Sequence, residues 1–258
     1  METRSSERRL AHFLSQNSPT NLCEEARKEN TVHRQSYPCA YYLEKLRKRE
    51  PFSLSRWGEA EWNSVLRLRP EQAVNCDGHR FFRTMGGQLA RALKDLPAYY
   101  VAMQPLALRL MGGRIEQWFA ENSIDLPWHD ADVFHEASKR GEIDKIFEAL
   151  RETDNLIVVG PEHLRQLSRY VPYREFVLIP DRNCFLCLDE VQDRILRACV
   201  KVRKPAVISI SAGMPANLMV HNLFPKIGQQ SFLIDFGSLW DPYCGVHSRM
   251  VSAHKNHP

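Results

Sequence analysis

Four short apolar runs in the second half of the chain, each followed by a polar or glycine-bearing loop, restrict its possible folds more than any other feature. They are Leu156-Ile157-Val158-Val159, Phe176-Val177-Leu178-Ile179, Ala206-Val207-Ile208-Ser209-Ile210 and Ser231-Phe232-Leu233-Ile234-Asp235. Each is shorter than an ordinary helix and almost continuously apolar, the pattern of a strand covered on both faces. Helical spacing lies between them. Ile143, Ile146, Phe147 and Leu150 precede the first run, and a helix is expected to open at Pro161, a favoured first position. Leu188–Val200, with Leu188, Val191, Ile195 and Cys199 on one face, and Pro215–Phe224 supply two more. This alternation predicts an α/β fold: a Rossmann-like, mostly parallel sheet with helices on both faces.

The first half reads less regularly. Tyr41–Arg49 has a helical pattern, Pro51–Trp57 reads as a strand closed by Gly58, and Trp62, Val65 and Leu66 mark a following helix. Asn75–Gly87 reads as a loop, then a helix through Leu89, Leu93 and Leu96, a strand at Tyr99–Met103 and a helix over Pro105–Ala120. Asn122–Asp132 is loop-like. The domain reading is a polar arm over 1–40, one catalytic-size domain over 41–250 and a tail over 251–258.

With 43% apolar and 26% charged residues the chain can bury a core of its own. No apolar run reaches the ~18–20 residues that span a bilayer, and Met1–Arg9 is polar, unlike a secretory signal, so a cytoplasmic location is expected. Seven cysteines at irregular spacing suggest reduced thiols. Cys184-x-x-Cys187 has no second pair to complete a zinc site, and reads as small apolar residues in a first helical turn. The net charge is +4, and the first fifty residues hold ten Lys/Arg against seven Asp/Glu. A basic arm suits phosphate contact, and solvated helix faces explain the same charge.

In open parallel sheets ligands bind beyond the carboxyl ends of the strands. Here those ends are Arg56–Glu61, Gly160–Glu162, Asp181–Asn183, Ser211–Gly213 and Asp235–Ser238, expected to converge on one rim. Glu59 and Glu61 follow a strand with one small residue between them. If extended, both carboxylates project the same way and can reach one hard cation, Mg²⁺ or Mn²⁺. Gly58 allows close backbone approach, and Arg56 has the fork that binds phosphate oxygens. The competing reading of Glu59 and Glu61 is a pair of acids favoured by a helix dipole.

The string Phe52-Ser53-Leu54-Ser55-Arg56-Trp57-Gly58-Glu59-Ala60-Glu61 resembles the R-[FY]-G-D-G-E signature of the GT-D glycosyltransferases. Asn155–Gly160, Phe176–Asn183, Ala206–Gly213 and Phe232–Ser238 are similar to that family's later blocks in order and spacing, so the resemblance covers roughly residues 45–245. It implies a Rossmann-like domain, a metal-assisted acidic motif and transfer of a hexose from a nucleotide sugar, typically UDP-glucose. Glu59 takes the place of the first acid and Glu61 that of the second. Two departures stand out. The first acid is Glu rather than Asp, with Ala60 for the intervening Gly, and the last block reads Asp235-Phe236-Gly237-Ser238 where family members often carry D-x-G-H.

Asp77 and His79, in Asn75-Cys76-Asp77-Gly78-His79, are candidates for a general base or an extra metal ligand; the alternative is an Asp-Gly turn and a surface His. Ser211 and Gly213 precede a helix start and could hold a phosphate on backbone N–H groups. Asp181 and Asn183 suit a ribose or base, or else a helix cap; Gly160 and Asp235 line the same rim. Asp241, Tyr243 and Arg249 either close over the site or pack on the sheet. The expected partners are a nucleotide-sugar donor and a hydroxyl acceptor, either a glycan or glycoprotein or a hydroxymethylated base in DNA of a phage-infected bacterial cell. The alternative from another class is a binding protein that keeps the fold and recognises a nucleotide sugar or nucleic acid without turnover.

Overall fold

The computed structural model describes Gln35 and residues 37–246; most of the expected arm, and Arg249 with the tail, lie outside the described residues. In chain order the elements are α1 (Cys39–Lys48), β1 (Ser53–Trp57), α2 (Glu59–Val65), α3 (Arg83–Lys94), β2 (Tyr100–Met103), α4 (Pro105–Glu121), β3 (His129–Asp130), α5 (Val133–Lys139), α6 (Ile143–Thr153), β4 (Leu156–Gly160), β5 (Glu175–Leu178), α7 (Leu188–Lys201), β6 (Val207–Ile210), α8 (Pro215–Leu223) and β7 (Phe232–Asp235). Short 3-10 segments at Glu162–Arg169, Cys184–Cys187 and Asp241–Cys244 join them.

The strands form one sheet in the order β3-β2-β1-β7-β6-β4-β5, and every pairing in it is parallel. Alternate side chains enter two cores. Ile208 and Ile210 face one with α2, α3, α7 and α8, and Val207 faces the other with α1, α5 and α6. Each large aliphatic side chain removed from water in this way contributes about 1.5–3 kcal/mol before entropy is subtracted. Ser209, a polar residue within β6, accepts a hydrogen bond from Trp240 Nε1 at 3.0 Å, so its burial carries no orphaned group.

Because all strands run the same way, their carboxyl ends share one rim. The chain leaves β1 toward the face that holds α2, and leaves β7 toward the opposite face, where Leu239, Trp240 and Cys244 pack. Neighbouring strands whose exits diverge leave a crevice between them, the usual ligand position in such sheets. The β1/β7 crevice is therefore the architectural focus.

Three expectations change. Asn122–Asp132 contains β3, which pairs Ala102 with His129 and Met103 with Asp130; a two-residue strand leaves no periodicity to read. The segment after Pro161 is a 3-10 helix over Glu162–Arg169, not an α-helix. Cys184 and Cys187 occupy a 3-10 turn before α7, with Cys187 Sγ donating to the Cys184 carbonyl at 3.4 Å. Burial, with Cys187 beside it, pushes the Cys184 thiol up to about 12.

Two adjacent glycines of α3 test the packing. A Cβ on Gly86 would lie 2.4 Å from the Ser64 carbonyl of α2, whereas one on Gly87 meets nothing within 4 Å. Gly86→Ala is expected to destabilise by about 1–3 kcal/mol. Gly87→Ala is expected to stabilise by about 0.5–1 kcal/mol, through helix propensity alone. Urea denaturation of the two variants checks the pair.

Candidate functional site

Arg56 stands at the end of β1 with its guanidinium turned across the rim. Nε donates to the Ala131 carbonyl at 2.7 Å, one terminal nitrogen to Asp132 Oδ1 at 3.2 Å and the other to the Phe236 carbonyl at 3.4 Å. The planar fork thus ties together the ends of β1, β3 and β7. Gly237 makes room for it. A Cβ there would fall 1.9 Å from the Arg56 guanidinium, and its φ of +54° is one that glycine tolerates best. Asn217 on α8 fixes the same strand end from the other face, donating to the Arg56 carbonyl at 2.8 Å.

Two carboxylates lie beside this clamp. Asp235, the last residue of β7, accepts from the Arg56 backbone N–H at 3.3 Å and the Gly237 N–H at 2.9 Å. Glu61 curls back to accept the Gly58 N–H at 2.8 Å, half of a capping box on α2. Burial pushes Glu61 up to about 7, and the Asp235 charge adds to the rise; the Gly58 and Glu61 N–H groups and Arg56 oppose it. The residue keeps some exposed surface while its carboxylate is crowded by protein. Asp235 is raised to about 6 by burial, against the pull of Arg56 and its two N–H donors. Burial also raises Asp132, with Arg56 opposing. Titration near neutrality, next to a fixed cation, equips such a crevice for proton transfer.

The metal expectation meets a different geometry. Glu59 and Glu61 are not in extended backbone; both lie in the first turn of α2, where residues two apart point to different sides. Glu59 Oε1 accepts from Asn63 within the helix at 3.3 Å, and Glu61 is engaged by Gly58. Among the described residues no group of three or more His, Cys, Asp or Glu side chains is placed to hold a metal ion. In this arrangement Glu59 and Glu61 do not converge on one cation.

A second cluster sits further along the rim. Asn75 builds a tight turn: its Oδ1 accepts the N–H groups of Asp77 and His79, both at 2.9 Å, and its own N–H bonds the His79 carbonyl at 2.8 Å. Asn183, beyond β5, clasps the turn. Its N–H donates to His79 Nδ1 at 3.1 Å and its Oδ1 accepts the Arg80 N–H at 2.8 Å. His79 Nε2 lies against Gly213, since a Cβ there would be 3.2 Å away, and Arg182 packs over Gly78. Burial lowers the His79 pKa, and the Arg182 charge lowers it further. The clusters meet through Met214, whose sulfur accepts from Ser64 on α2 at 3.4 Å, one turn beyond Glu61.

The structure thus gathers Arg56, Gly58, Glu61 and Asp235 in the crevice and His79, Asn183 and Gly213 beside it. Asp77 and Asp181 are exposed on their turns. Ser211 is buried, and its hydroxyl has no protein partner among the described residues. Gly160 answers to packing, because a Cβ there would collide with Leu164 at 2.4 Å. Asp241 and Tyr243 tie the final segment down, Asp241 to His163 at 3.0 Å and Tyr243 to Ser138 at 2.6 Å. Asp132 and Asn217 were not foreseen, and Arg182 and Gly237 lay inside expected rim segments without a role of their own. Gly237 alone had a signal, a glycine two residues past a strand-terminal acid.

No family model matches the sequence, and no curated protein does. Solved structures do match. One, described as the highly conserved domain of unknown function 1792 with a distinct glycosyltransferase fold, aligns at TM-score 0.57 and 18% identity over 82% of this chain and 80% of the other. Another, described as a new glycosyltransferase of that domain type from Streptococcus sanguinis, aligns at TM-score 0.61 and 15% identity over 86% and 89%. This chain shares their fold. At such identities the likeness concerns the arrangement of sheet and helices.

Two outcomes are expected. Gly237→Ala displaces the Arg56 fork and costs at least ~2 kcal/mol, read by urea denaturation. The raised acids set the sign of a pH dependence. The folded chain keeps protons that the unfolded chain has released, so their contribution is complete below about pH 4 and is lost as the pH rises toward about 6 to 7. Urea midpoints should fall across that window, and less steeply in Glu61→Gln.

Proposed function

We propose that this chain is a glycosyltransferase that moves a hexose, with UDP-glucose as the first donor to try, onto a hydroxyl acceptor. The observation that carries the reading is the Glu61 carboxylate, held in the β1/β7 crevice beside Asp235 and Arg56 and raised to about 7. A general base works best with a pKa near the operating pH. In the proposed step the acceptor oxygen attacks the anomeric carbon, and its proton passes to Glu61. The bond from that carbon to the diphosphate oxygen breaks, and its electron pair leaves with the nucleoside diphosphate. Three of the five Arg56 N–H groups bond Ala131, Asp132 and Phe236, so in this step Arg56 first of all positions the crevice.

A glycan or glycoprotein acceptor is the favoured version. A net charge of +4 over 258 residues is small for a protein that must grip a duplex, where affinity comes largely from phosphate contacts. Acceptor competition checks this: simple saccharides should be modified, and hydroxymethylated DNA should not.

The decisive assay follows nucleotide-sugar consumption and product formation in the wild type and Glu61→Gln. The variant is expected to lose ~10²–10⁴ in kcat while still showing a donor-induced thermal shift. The rise of kcat/KM near pH 7 should vanish with the carboxylate. Donor binding without turnover in the wild type, unchanged by the substitution, would replace this reading with the binding-protein alternative.

A further inference from the structure

The histidine of the Asn75–His79 turn has its chemistry set by one hydrogen bond. The Asn183 backbone N–H donates to His79 Nδ1 at 3.1 Å. A backbone amide can only donate, so Nδ1 must present its lone pair, and the neutral ring carries its proton on Nε2. Asn183 is held in the orientation this requires, with φ +57° and its side chain clasping Arg80. The turn is itself locked by Asn75. The Nε2 edge faces the Gly213 backbone, just ahead of the nine-residue helix α8, and the Arg182 guanidinium packs on the same turn at Gly78.

We propose that His79 acts as a fixed neutral hydrogen-bond donor, its Nε2–H directed at a phosphoryl oxygen of the departing nucleoside diphosphate, and not as the base. The proposal rests on the transferase reading above and assigns the two ends of the reaction to two places. The carboxylates of the β1/β7 crevice serve the acceptor, and the donor groups around Gly213 serve the leaving group. Met214 bridges the two, touching Ser64 one helical turn from Glu61. Burial and the nearby Arg182 both disfavour the imidazolium, which favours the neutral ring as a donor. A preorganised donor of this kind acts most strongly where charge develops, here on the diphosphate oxygen as its bond to the sugar breaks. No proton changes hands at His79 in this step.

The test pairs spectroscopy with kinetics on the full chain. In protein labelled with ¹⁵N-histidine, His79 should show a protonated Nε2 and a bare Nδ1 at about pH 8, where an ordinary imidazole is neutral. Added UDP should shift the Nε2 resonance and leave Nδ1 in place. In turnover, His79→Ala should lose ~10²–10³ in kcat, the range for removing one such donor. His79→Gln, which keeps an N–H donor, should recover most of it. The pH dependence assigned to Glu61 should persist in both. A proton on Nδ1, a Nε2 signal indifferent to UDP, or loss of the pH dependence in His79→Gln would each overturn the proposal. A UDP-sensitive Nε2 without turnover of any nucleotide sugar would uphold the anion-donor role while refuting the transferase reading.

Discussion

The rim is organised by the charge of Arg56, held where water cannot solvate it fully. Removing a guanidinium from water is costly unless its donors find acceptors and its charge finds a partner. The fold meets both needs with groups from separate parts of the chain: the Ala131 carbonyl and Asp132 beyond β3, and the Phe236 carbonyl beyond β7. Those loops are fixed in register because the fork is planar and its bonds directional. Gly237 has to be a glycine because the fork occupies the space its side chain would fill.

This clamp also explains the acids beside it. Asp235 receives two backbone N–H bonds and the field of Arg56, yet burial still holds it above its ordinary value. Glu61 is buried more expensively and lies higher still. Further along the rim the character reverses: the His79 imidazole and Arg182 supply donors. On the proposed reading the acids accept the proton that the nucleophile releases, and the donors meet the negative charge that the leaving group acquires. That separation follows from the sheet, since β1 and β7 end at the crevice while β5 and β6 end beside His79.

The parallel sheet was legible in the sequence because central strands buried on both faces must be apolar almost throughout, as Leu156–Val159 and Ala206–Ile210 are. The convergence of Arg56, Glu61 and Asp235 was legible too, because parallel strands bring their carboxyl ends to one edge. Strand β3 was not, since two residues carry no period. The disposition of Glu59 and Glu61 depended on where α2 begins. A helix starting at Glu59 instead of after Glu61 turns the two side chains apart, and local composition favours either boundary.

His79 shows the division most clearly. The sequence by itself determined a compact Asn-Cys-Asp-Gly-His turn, because Asn75 accepts the N–H groups of its near neighbours and Gly78 takes the φ of +78° the turn needs. It also determined the apolar runs, and hence the sheet. Only the tertiary structure decided which ring nitrogen carries the proton, because the group that fixes it, the Asn183 N–H, lies 104 residues away. The same holds for Arg56, whose acceptors are 75 to 180 positions distant. Local sequence sets backbone preference through short-range sterics and hydrogen bonds. The tautomer of a ring, the pKa of an acid and the engagement of a guanidinium are set by whatever the fold brings within 3 or 4 Å.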